Sequence, residues 1–230
     1  MHVPDGFIDA PTSIATGVIA AVGIAVCLRG ARKELDERTA PMAGLVASFV
    51  FAAQMINFPV AAGTSGHLLG GALAAVLVGP YTGALCVAVV LMIQALFFAD
   101  GGLTALGTNI VDMALVTTVV AFVVVKLLLA VLPKTRGSVV GAAFVAALVS
   151  VPVSAVVFTL VYAVGGTASV PIGTVLAAMV GVHVLIGIGE AVITAATVAS
   201  VLAVRPDLVR AAGAVRAPLQ LRTHPTRAEV

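Results

Sequence analysis

Apolar residues in this chain neither alternate with polar ones nor form a single helical stripe. They run in long blocks broken by short clusters of charge, Gly and Pro. An α-helix needs ~20 apolar residues to cross a bilayer, and in lipid each spanning helix satisfies its own backbone. The blocks predict helices over 11–28, 41–56, 67–78, 81–98, 110–132, 138–164 and 175–204. Residues 29–39 read as a charged loop and 57–66 as a polar loop. Residues 1–204 then form one membrane-embedded domain, and 205–230 a flexible basic tail.

Residues 67–98 read either as one long helix or as a hairpin turning at Gly79-Pro80. Basic residues collect on the cytoplasmic side of a membrane protein. With the hairpin there are seven spans. The basic residues Arg29, Arg32, Lys33, Arg38, Lys134, Arg136 and the tail arginines then share one side. The expectation is an all-α protein of seven transmembrane helices, N-terminus outside and C-terminus inside. Met1, His2 and the turn before His67 then lie on one outer face.

Composition agrees with a membrane solvent. Of 230 residues, 61% are hydrophobic and 10% charged, against roughly half and a quarter in a soluble domain. The net charge of +2 therefore does not point to nucleic acid. Cys27 and Cys86 sit in apolar runs and imply no disulfide framework. The first Arg is Arg29, so a basic leader region is missing, and the N-terminus is expected to stay on the protein.

That expectation gives the opening "MHVPDG" its chemistry. A free amine followed by His offers three nitrogens from two residues: the Met1 amine, the His2 amide and the His2 imidazole. All three can lie in one plane around one ion. His67 either supplies the fourth nitrogen or caps the helix after the Gly66 turn. Four planar nitrogens suit Ni(II) or Cu(II), and also Co(II), whereas zinc prefers a tetrahedron. Binding should weaken in acid, because the donors must lose protons. Methionine aminopeptidase needs a small second residue, so His2 should protect Met1. Asp5 is expected to support an imidazole N–H. Gln54, Asn57, Thr64 and Ser65 are expected either to hold His67 or to cap and solvate the loop. Asp112 fits a helix N-terminus electrostatically, and Asn109 either begins that helix or reaches the lid.

Ionisable residues inside a membrane are functional candidates. His183 and Glu190 lie seven apart, on one helical face but about 10 Å apart along the axis at ~1.5 Å per residue. They form either a polar column under the metal or, for Glu190, a tie to a neighbouring helix. Small residues four apart let membrane helices approach closely. Such rows occur at Ala43/Ala47, at Gly17/Ala21/Ala25 and at Gly137/Gly141.

Three stretches resemble one family in order along the chain: "MHVPDGFID", "GTSGHLLGGALAAVLVGP" from Gly63 and "HVLIGIGEAVIT" from His183. They are similar to the CbiM/NikM substrate-binding (S) subunits of energy-coupling-factor cobalt and nickel transporters. The resemblance implies a multi-pass subunit in a prokaryotic cell membrane that captures Ni(II) or Co(II) as cargo. It implies ligation by the positions of Met1, His2 and His67, and a link to cobalamin biosynthesis. It also implies partners: a transmembrane coupling (T) subunit, two ATPase subunits and often a small accessory membrane subunit. Ala43/Ala47 would be the docking row. No G-x-x-x-x-G-K-[ST] phosphate loop is present, so this chain is not itself an ATPase through that motif. Two rivals differ in class. A self-sufficient proton-coupled carrier would use Glu190. A zinc hydrolase would use His67, His183 and Glu190, but the sequence has no H-E-x-x-H pattern.

Overall fold

The structure is a computed structural model that describes residues 1–37, 39–56, 58–59 and 65–215. Its helices are α1 (Ala10–Ala31), α2 (Thr39–Gln54), α3 (Gly71–Val78), α4 (Pro80–Phe97), α5 (Leu106–Val131), α6 (Arg136–Gly165) and α7 (Ile172–Val204). Two-residue strands, β1 (Phe58–Pro59) and β2 (Ser65–Gly66), pair antiparallel in the loop after α2. Apart from an isolated Ile8–Gly166 bridge, the regular structure of the described residues is otherwise helical.

The expected helices appear in order, but they are not alike. Five of them, α1, α4, α5, α6 and α7, are long and apolar enough to cross a membrane. Helix α2 has 16 residues, about 24 Å at ~1.5 Å per residue. Helix α3 has only eight, about 12 Å at the same rise. All eight α3 residues are buried, and the helix packs against α2, α4, α5, α6 and α7. It is a central plug rather than a lipid-facing span. Its neighbours come close because they are small. A Cβ on Gly83 would meet the Ala74 backbone at 2.9 Å, the close approach expected of small residues in lipid.

The hairpin is present. Gly79 takes φ +100° between α3 and α4, a conformation open to Gly but strained for other residues. The turn lies against Glu34 and Arg210. Glu34 accepts the Thr82 N–H at 2.7 Å, and Arg210 donates to the Glu34 carbonyl at 3.2 Å. This end of the bundle carries the ends of α1 and α7 and the turn between α5 and α6, and with them, among the described residues, Arg29, Arg32, Lys33, Lys134, Arg136, Arg205 and Arg210. Residues Pro206–Leu208 and Arg210–Val215 form short 3-10 turns, and Val209 and Ala212 are buried.

The outer surface carries Val18, Val22, Leu127, Val131, Leu185 and Val192 in exposed positions, as expected for a face turned to hydrocarbon. Ala43 and Ala47, the expected docking row, lie at the edge of the outward face of α2. They are half-buried against the chain's own core, beside the buried stripe Met42, Val46 and Val50. Leu45 and Phe49 are the exposed large residues of that helix. The helix rotation that buries one stripe carries its immediate neighbours inward.

Candidate metal centre

The first nine residues do not trail into solvent; they are strapped across the end of the bundle opposite the basic residues. Asp9 caps α1 by accepting the Thr12 N–H at 2.9 Å. Its own N–H donates to the Gly165 carbonyl at 2.7 Å. Thr167 donates its N–H to the Phe7 carbonyl at 3.1 Å and its hydroxyl to the Gly6 carbonyl at 2.6 Å. Phe7 packs against Phe158 and Tyr162, with ring centroids 6.0 and 5.4 Å away. Nearer the terminus, Asn109 grips Val3 twice. Its Oδ1 accepts the Val3 N–H at 2.8 Å and its Nδ2 donates to the Val3 carbonyl at 3.2 Å. Gly102 also donates to that carbonyl, at 2.8 Å.

These ties seat Met1 and His2 inside the protein. Met1 is 0% exposed and His2 4%. His67 arrives from the other side, on the loop before α3, and is also fully buried. The two imidazole centroids lie 4.6 Å apart. His67 Nδ1 is 2.8 Å from the Leu68 carbonyl. A carbonyl only accepts, so Nδ1 carries the proton and Nε2 keeps its lone pair. That Nε2 is buried without a partner.

His2 Nε2 lies 3.2 Å from the Gln94 side-chain amide, and the ring's tautomer sets which of the two donates. Its Nδ1 approaches Asp100 Oδ1 at 3.0 Å but lacks hydrogen-bond geometry. Burial lowers the His2 pKa more than Asp100 raises it, and the ring is therefore neutral near pH 7. Burial also pushes the Met1 amine from 8.0 down to about 4, against the pull of Asp112 and Asp100. His67 is held well below its usual value by burial first, and protonation of the Met1 amine or of His2 would lower it further. All three groups are thus neutral bases at neutral pH, the form in which nitrogen binds a metal.

No group of three His, Cys, Asp or Glu side chains is placed to hold a metal among the described residues. The nitrogen set here is different: two side chains plus the backbone of the first two residues.

Other expected residues stand elsewhere. Asp5 does not support an imidazole; it accepts from the Thr104 N–H and hydroxyl at 2.8 and 2.5 Å. Asp100 is the carboxylate beside His2. Gln54 reaches the His67 loop but donates to the Leu69 carbonyl at 2.8 Å. Asn57, Thr64 and the side chain of Ser65 lie outside the described residues. His183 is fully buried, with Nδ1 2.7 Å from the Met179 carbonyl and Nε2 unpartnered. Glu190 holds the backbone N–H groups of Leu69 and Gly70 at 2.6 and 3.0 Å. Asp112 is not in the first turn of its helix, because α5 starts at Leu106. It lies in a π-helical stretch, Ile110–Val116, and accepts from Ser154 at 2.8 Å.

Sequence reasoning passed over Gln94 and the Asp100-Gly101-Gly102 turn. Gln94 is a lone amide in the apolar run "LMIQALFF", which could have singled it out. The turn's signal is weaker. Gly101 has φ +93°, and a Cβ there would sit 3.0 Å from His2 Cδ2. A Cβ on Gly102 would collide with the Asp5 backbone N–H.

Residues 2–208 match the CbiM family, described as a cobalt uptake substrate-specific transmembrane region. The chain belongs to the CbiM family. A Haloquadratum walsbyi protein provisionally named as a metal transport protein is 39% identical, over 91% of this chain and 93% of its own. The cobalt transport protein CbiM of Sorangium cellulosum is 34% identical, over 82% and 84%. The fused nickel transport protein NikMN of Rhodobacter capsulatus is 38% identical over 61% of this chain, which matches 39% of that longer protein. A crystal structure of a truncated transition metal transporter superposes with TM-score 0.78 and 28% identity, covering 88% of this chain and 99% of that one. Family membership and the five long apolar helices make this a multi-pass membrane protein of the CbiM/NikM transport type.

Proposed function

We propose that this chain is the substrate-capturing membrane subunit of an ATP-driven importer for Ni(II) or Co(II). The ion is cargo. Its donors are the Met1 amine, the His2 amide nitrogen, His2 Nδ1 and His67 Nε2, arranged in a plane. One observation carries the reading: two neutral imidazoles 4.6 Å apart lie buried beside a neutral terminal amine, with His67 Nε2 unpartnered. A buried polar atom without a partner calls for an explanation, and a bound ion supplies one.

The nitrogen-bearing end faces outward in this reading, and the basic end faces the cytoplasm. The positive-inside tendency supports that orientation, with α3 counted as a half-length segment in a seven-helix bundle. ATP hydrolysis falls to partner subunits, through a transmembrane coupling subunit and with a small accessory membrane subunit. The names of the fused NikMN relatives support a multi-component machine. His183, with its spare Nε2, is near enough to His67 and the Met1 amine to act on them electrostatically. A proton carrier built on Glu190 is disfavoured, because both of its carboxylate oxygens already hold backbone N–H groups.

The test is Ni(II) binding to the purified full-length chain with its native N-terminus. A planar four-nitrogen complex is yellow and diamagnetic. One extra residue ahead of Met1, or His67→Ala, should abolish that spectrum and the tight binding. An extended protein that binds nickel equally well with the same spectrum would show that the amine is not a donor.

A further inference from the structure

Glu190 is a buried carboxylate on a membrane helix, and its two partners are backbone groups of one loop. Oε2 accepts the Leu69 N–H at 2.6 Å and Oε1 the Gly70 N–H at 3.0 Å. The Leu69 N–H and the Leu68 carbonyl are the two ends of a single peptide plane. His67 Nδ1–H donates to that same Leu68 carbonyl at 2.8 Å. A continuous chain therefore runs from the Glu190 carboxylate, through one rigid peptide, to the far side of the His67 ring. On the next peptide, Gln54 Nε2 holds the Leu69 carbonyl at 2.8 Å from α2.

We infer that Glu190 is the positioning residue for the fourth donor: through the Leu68–Leu69 peptide it fixes the tautomer and plane of His67, so that Nε2 faces the cargo ion. The inference rests on the proposed four-nitrogen site. A histidine ligand ordinarily donates its other N–H to a carboxylate or carbonyl, and this orients the ring and raises its basicity. Here the carbonyl is present and the carboxylate stands behind it, polarising the peptide between them. The same device bears on selectivity. A His67 ring held in one plane suits a square-planar ion and resists the rotation that tetrahedral zinc would require.

Glu190→Gln tests this. The amide has one acceptor oxygen, and its NH₂ group faces a second N–H donor, so one of the two backbone groups loses its partner. Loss of such outer support typically costs about 10- to 100-fold in metal affinity. The specific readout is the number of nitrogens on Cu(II), used as a paramagnetic probe of the full-length protein in detergent. The expected result is four nitrogens in the parent and three in Glu190→Gln, with the Met1 and His2 set retained and zinc competing better. Glu190→Asp keeps the charge and should fall between the two. Glu34→Gln, a buried carboxylate at the opposite end of the bundle, should lower thermal stability but keep four nitrogens.

Four nitrogens and unchanged affinity in both Glu190 variants would overturn the inference. So would loss of all nitrogens together or failure of both variants to fold, which would assign Glu190 to the bundle as a whole. Failure of the underlying site reads differently: the parent itself would show no nitrogen set that depends on the free N-terminus.

Discussion

Asn109→Ala should unseat the N-terminus without altering any proposed donor. The side chain makes two bonds to Val3, and their losses are unequal. The Val3 carbonyl keeps the Gly102 N–H at 2.8 Å, so it stays satisfied. The Val3 N–H, now 2.8 Å from Asn109 Oδ1, is left with no acceptor. An orphaned buried donor costs about 1–3 kcal/mol. At about 1.4 kcal/mol per factor of ten, the unseated fraction rises roughly 5- to 150-fold. The assay is acylation of the Met1 α-amine in metal-free protein, located by peptide mass spectrometry. A residue that is 0% exposed reacts only from the open form, so the rate follows the open fraction. Thr108→Val is the control. It breaks the 2.8 Å hydroxyl contact with Thr16, one residue away, and leaves Val3 alone. Labelling of Asn109→Ala within twofold of the parent, or an equal rise in Thr108→Val, would refute the reasoning.

Three further outcomes follow from the same geometry. The seated Met1 amine is depressed from 8.0 to about 4, so the unseated amine binds a proton more readily. Seating is then fullest above pH 8 and is lost as pH falls toward 4. Hydrogen-exchange protection of the Val3 amide, corrected for intrinsic rates, should drop between pH 8 and pH 5; a flat profile contradicts this. Gly101→Ala must hold φ +93° and crowd His2 Cδ2, at a strain of about 1–3 kcal/mol. Calorimetry should show nickel affinity at least fivefold weaker, and parent-like affinity would count against the close approach. Glu34→Ala removes the acceptor of the Thr82 N–H at the start of α4, a cap worth about 0.5–2 kcal/mol. The melting temperature should fall while the nickel spectrum stays unchanged, and a lost spectrum would tie the two ends of the bundle together.

The order of helices was legible in the sequence because lipid imposes one rule on every span: block length and apolarity. The same rule misjudged α3. Residues 71–78 are as apolar as a lipid-facing helix, and hydropathy cannot tell hydrocarbon from neighbouring helices. Burial of all eight residues by five other helices emerges only when the chain is packed. Met1 and His2 could be singled out from sequence as proposed donors because their chemistry is local, and the structure buries them beside His67. An amine, an amide and an imidazole in two consecutive residues form a donor set wherever the chain lies.

The supporting residues were not legible in that way. Asn109 lies 106 positions from Val3, Gln94 lies 92 from His2 and Glu190 lies 121 from Leu69. Asp5 stood close in sequence to the donors yet turned to Thr104, while Asp100 took the place beside His2. The sequence by itself determined the solvent, the helical blocks and which groups could serve as the proposed donors, each a property of a short stretch of chain. Only the tertiary structure decided which buried carboxylate faces which peptide, because that depends on helix rotation and contact across the bundle, and neither has a local signature.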